Sequence, residues 1–204
     1  MPPLRSLFTL LALLTAPVAT GTPPDETAVR EYLDPVTAMT VRLVAQPLIY
    51  AREVPELAVN ARDYLSVGPV ELNNMGTRRY YLALVAWSTI DRDRSGAALP
   101  ALPERVEVSL GGVERVLQTE THTPRDLGSG LPVYVPPAGR IGESWLPVKP
   151  ADLRALSASP PEALDVVVDG ARLRYTLWRT APKALEEFVA GIPDVLTPTH
   201  RRRR

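Results

Sequence analysis

His122 stands in Glu120-Thr121-His122-Thr123-Pro124-Arg125-Asp126 and is the one histidine inside the body of the chain, the other being His200 near its end. An imidazole titrates close to neutrality, so beside carboxylates it can serve as a general base or a metal ligand. Ser129, in Gly128-Ser129-Gly130, is the nearest serine such a base could activate, and Asp126 a nearby carboxylate that could orient it. His122, Asp126 and Ser129 are thus the weak candidate set for a hydrolase or a metal-dependent enzyme. Against that reading, a metal needs three or four ligands, and Ser129 lacks the strand–turn–helix context of a nucleophile elbow.

A second motif, Asp91-Arg92-Asp93-Arg94-Ser95-Gly96, opens like a calcium loop, with oxygens at positions one, three and five and glycine at six. Asp91, Asp93 and Ser95 would be the ligands of a calcium-stabilised adhesion module. Position twelve, however, is Leu102 where a bidentate glutamate should close the shell, and Pro100 breaks the helix that should begin there. The competing reading is a solvated turn.

A third set is a surface. In Arg172 to Trp178 strict alternation puts Arg172, Arg174, Thr176 and Trp178 on one side and Leu173, Tyr175 and Leu177 on the other. Arginine and tryptophan dominate binding hot spots, so Arg172, Arg174 and Trp178 are the candidate binding residues. Trp87 reads as core, whereas the pattern leaves Trp145 open.

The elements that position these residues read as strands. Twenty-two prolines oppose long helices. Met39, Val41 and Leu43 alternate, Leu48-Ile49-Tyr50 follows, and Tyr64 to Leu72 is extended but interrupted by Gly68-Pro69, which predicts an edge strand or a bulge. Arg79 to Ile90 is apolar on both faces and should be a central strand. Gly111-Gly112 and Asp169-Gly170 mark two hairpin turns, the second placing Val166 opposite Leu173 and Leu164 opposite Tyr175. Thr121 to Pro150 reads as a long connection with one or two short strands. Short helices are expected at Thr27–Leu33, Pro150–Ser157 and Pro182–Ala190, the last with an apolar stripe of Ala184, Leu185, Phe188 and Val189. This predicts an all-β fold, an antiparallel β-sandwich or half-open barrel, immunoglobulin-like in pattern, with short peripheral helices including a C-terminal one.

Residues 1–21 read as an export signal: Arg5, the apolar run Leu7 to Leu14, and the small-x-small pattern Ala19-Thr20-Gly21. A run of eight residues is too short for a bilayer, which needs about 20. Thr22 stands where a lipid-bearing cysteine would be, and the chain has no Cys, which excludes thioether lipidation and disulfides. The expected organisation is a signal over 1–21, one domain over 22–193 and a basic tail over 194–204.

Of 23 basic residues, Arg5 and Arg201 to Arg204 lie in the termini, leaving 18 against 23 acidic residues, a net of −5 for the body. That balance gives no reason to expect nucleic acid. The tail Arg201–Arg204 could touch anionic lipid, although runs of like charge are usually solvated. Together these features favour an exported envelope protein, periplasmic or secreted, that binds a protein or polymer without cofactor or catalysis. The hydrolase and the calcium-stabilised adhesion module stand as its alternatives.

Overall fold

Asp169 and Gly170 both take positive φ, the left-handed conformation of a tight hairpin turn, and they join β9 (Ala163–Val168) to β10 (Ala171–Arg179). Leu173 pairs with Val166 and Tyr175 with Leu164, as the alternation predicts. Gly111 and Gly112 turn β6 (Arg105–Leu110) into β7 (Val113–Gln118) in the same way.

The structure is a computed structural model describing residues 28–90 and 102–193. Its other strands are β1 (Val29–Leu33), β2 (Thr40–Val44), β3 (Leu48–Glu53), β4 (Arg62–Asn74), β5 (Thr77–Ser88) and β8 (Arg140–Pro147). The helices are α1 (Pro124–Leu127), α2 (Pro150–Ala158) and α3 (Pro182–Ala190). All pairings are antiparallel, and the described strands join in one ten-stranded sheet. From β8 the path runs through β5, β4, β3, β10, β9 and β6 to β7. The sheet curls until the Glu120 N–H, just past β7, donates to the Trp145 carbonyl of β8 at 2.7 Å. The fold is therefore mostly antiparallel β, carried by one curled sheet with few short helices.

β4 departs from expectation. It is the most connected strand, paired with β5 on one side and with both β3 and β2 on the other. β3 covers residues 62–67 and β2 covers 70–73, so Gly68 and Pro69 fall in the gap between two partners. No ladder bond on that side asks for the amide proline lacks, which is why it is tolerated in a central strand. Residues 29–33, expected to be helical, form β1 instead. Pairing with β2 and the packing of Val29 and Tyr32 against the core outweigh a weak helical preference. The helices expected at Pro150 and Pro182 are present, each beginning with its proline.

The inner face of the curl is filled by Tyr50, Leu65, Val67, Leu82, Leu84 and Val106 among others. Leu153 and Leu156 of α2 and Leu185 and Phe188 of α3 are buried in the same core. Arg42 secures α3. Its Nη2 donates to the Glu187 and Phe188 carbonyls at 3.1 and 2.8 Å, and its guanidinium stacks 4.5 Å from the Phe188 ring centroid. A cation on the last carbonyls complements the helix dipole. Buried Glu71 balances that charge, accepting from Arg42 at 3.2 Å and Arg78 at 2.7 Å.

A second apolar layer covers the outer face of β2, β4, β5 and β8. The end of α1 and the segment after it cross this face and bury Leu127, Val133 and Tyr134. Tyr134 lies so close over Gly68 that a Cβ there would sit 2.2 Å from the phenol oxygen, and its hydroxyl donates to the Pro69 carbonyl at 3.3 Å. Burial pushes the Tyr134 hydroxyl pKa well up, so it stays protonated as a donor. The crossing is pinned by Asp34, whose carboxylate accepts from the N–H groups of Val36, Thr37, Gly130 and Leu131 at 2.8–3.2 Å. Desolvation would raise that carboxyl's pKa, but the four donors outweigh it and hold the value below normal. With this cover in place β5 is buried on both faces from Tyr81 to Ser88, as its sequence predicts, and Trp145 is only 1% exposed.

Candidate functional site

Among the described residues no segment lies over β10 in this way. Arg172, Arg174, Thr176 and Trp178 all point outward and are exposed, while Tyr175 points into the core. Neighbouring strands extend this open face. Glu107 of β6 accepts from Arg172 and, at 3.4 Å, from Arg105. Across the hairpin, Asp165 is the register partner of Arg174. Among the described residues, the ion pairs on this face use Arg172, Arg105 and Arg62, and Arg174 has none.

Trp178 is placed by an irregularity. Leu177 pairs with Tyr50 and Arg179 with Ile49, so Trp178 is the extra residue of a β-bulge. A bulge re-aims a side chain out of the regular ladder, and the indole is left 56% exposed. Arg62 of β4 reaches over it, with its guanidinium carbon 4.8 Å from the ring centroid. That arginine is held by Glu53 at 3.3 Å, its register partner on β3. On the same face Tyr64 stacks on Trp87 at 4.2 Å and 10°, and the Trp87 indole N–H donates to Ser66 Oγ at 3.0 Å. The sheet thus offers a braced aromatic and guanidinium surface ending in one exposed indole. Alternation in β4, with Arg62, Tyr64 and Ser66 on one face, was the signal that could have added Arg62 and Tyr64 to the expected set.

The His122 region is arranged differently. Asp126 and Thr123 form the capping box of α1: Thr123 Oγ1 and N–H both donate to the Asp126 carboxylate, and the Asp126 N–H donates back to Oγ1 at 3.3 Å. These bonds from Thr123, with smaller help from the His122 and Arg125 charges, lower the Asp126 carboxyl pKa. His122 and Asp126 are exposed, whereas Ser129 is buried past the end of α1 and donates to the Leu131 carbonyl at 2.9 Å. Ser129 also contacts the Tyr32 hydroxyl. The geometry therefore engages Asp126 with Thr123 and Ser129 with Leu131, and does not assemble the three as a nucleophile, base and orienting carboxylate.

Asp91, Asp93 and Ser95 lie outside the described residues, as do Arg201–Arg204 and residues 1–27. Among the described residues no group of three or more acidic or histidine side chains is arranged to hold a metal ion. No protein-family model, curated protein or solved structure matches the chain.

Proposed function

We propose that this chain is an exported, non-enzymatic binding module of a bacterial envelope that engages its partner through the outer face of β10. One observation carries the reading: Arg172, Arg174, Thr176 and Trp178 are exposed together on one strand, and a bulge presents Trp178. Exposed tryptophan and arginine on a rigid scaffold are the usual anchors of recognition. The signal-like start of the sequence and the absence of cysteine support release into the periplasm or beyond. As architecture, we read the curled sheet as a half-open barrel, whose near-closure at Glu120 and Trp145 supports that over an immunoglobulin-like sandwich.

The test is a crosslinked pull-down from the native envelope with the mature protein and with a Trp178→Ala, Arg174→Ala double variant. Recovery of a partner by the first and its loss by the second is the expected result. Equal recovery by both overturns the assignment to this face.

A further inference from the structure

Where the β6–β7 turn, the segment after α2 and strand β10 meet, the open face deepens into a cleft of about 600 Å³. Ser109, Ser159 and Thr176 supply hydroxyls to its walls, and Arg174 supplies a guanidinium. Gly111 and Gly112, both at positive φ, form one lip, and Pro160-Pro161, whose rings fix φ, the other. We infer that this cleft, together with the Trp178 indole, is a binding site for a carboxylate-bearing glycan, an assignment that rests on the binding role of the β10 face.

The chemistry divides between two points. Arg174 is the one arginine among Arg62, Arg105, Arg172 and Arg174 without an ion pair among the described residues, and a planar guanidinium matches a carboxylate through two parallel hydrogen bonds. Trp178 lies four residues further along the same face, about 13 Å away at the rise of a strand. Arg62 occupies part of the indole surface, and the exposed remainder offers a flat apolar platform to the C–H face of a pyranose. A polymer that repeats neutral and uronic sugars reaches both points and turns its hydroxyls toward Ser109, Ser159 and Thr176.

Two carboxylates restrict the class further. Glu162 lines the cleft and Asp165 is the cross-strand partner of Arg174, so a dense polyanion such as a nucleic acid meets repulsion beside its one cationic contact. A protein partner would seek an apolar, desolvated pocket for its central anchor. Here the cleft mixes hydroxyls, a carboxylate and a guanidinium with glycine, proline and alanine, and no large apolar side chain lines it.

The experiment is titration calorimetry of the full protein with a hexasaccharide alternating glucuronate and N-acetylglucosamine, beside a neutral N-acetylglucosamine hexamer. The acidic hexamer should bind more tightly. Arg174→Gln should weaken it about ten- to a hundredfold, the range for hydrogen bonds to a charged group. The neutral hexamer should be insensitive to that change, and Trp178→Ala should weaken both without moving the unfolding midpoint. Equal affinity for the two hexamers, or binding of neither, overturns the glycan assignment. If the double variant still loses its partner in the pull-down, only the ligand class falls. If it loses nothing, the binding role of the face falls with it.

Discussion

The outer surface of this sheet has two halves made from similar residues and finished differently. Over β2, β4, β5 and β8, aromatic and aliphatic side chains are roofed by the segment that follows α1, and Trp145 ends up buried with Tyr81 tilted against it at 5.4 Å. Over β10 no described segment forms a roof, and Trp178 is 56% exposed under Arg62. Both tryptophans lie on antiparallel strands, and neither half is short of arginine or glutamate. What separates them is whether a later stretch of the chain is tied down above the strands. Asp34 does the tying on one side, and nothing among the described residues corresponds to it on the other.

The contrast can be broken first at the tryptophans. Trp145→Ala should cost about 3–5 kcal/mol of folding stability, the range for deleting a buried aromatic, measured by denaturant unfolding. A loss below about 1 kcal/mol would show that the roof does not seal the β8 side. Next comes Gly68→Ala, whose methyl would collide with Tyr134 and should destabilise by about 1–3 kcal/mol. Pairing it with Tyr134→Ala should give a non-additive cycle, because the clash exists only while both side chains are present.

Asp34 tests the pin itself through pH. Its folded pKa lies below the ordinary value of 3.8, so its contribution to stability is complete above that value and is lost as pH falls through the lowered one. Wild-type stability should therefore drop below about pH 4 relative to Asp34→Asn, which has no carboxyl to protonate. Parallel acid-unfolding curves would remove the pin from the account. The smallest effect is expected on the open side, where Trp178→Ala should change stability by no more than about 0.5 kcal/mol while abolishing partner recovery.

The sequence made the strands near tight turns readable, because the turn residues and the alternation specify the same register. The Val166–Leu173 and Leu164–Tyr175 pairs follow from Asp169-Gly170 and a two-residue period alone. The face of β10 was readable for the same reason. Pro69 was misleading because its tolerance depends on a gap between two strands that are distant from it in sequence. The cleft beside Arg174 could not be read at all, since residues 109–112, 159–163 and 174–176 meet only once β6, β9 and β10 are side by side. Trp178 was legible as exposed but not as a bulge, because the extra residue is defined by the partner strand β3. Val29–Leu33 shows the reverse case, a segment whose strand state is imposed by its neighbour β2.

The grip of Arg42 on α3 also bears on the order of assembly. Leu185 and Phe188 complete a core whose strands are finished by Arg179, and the groups that hold them, Arg42 and Glu71, are made more than a hundred residues earlier. A nascent chain therefore carries a waiting charge cluster and an unfilled hollow until α3 arrives. The final turn of α3 acts as a latch, and a chain cut before Pro182 should keep every described strand while the core that Leu185 and Phe188 fill stays open.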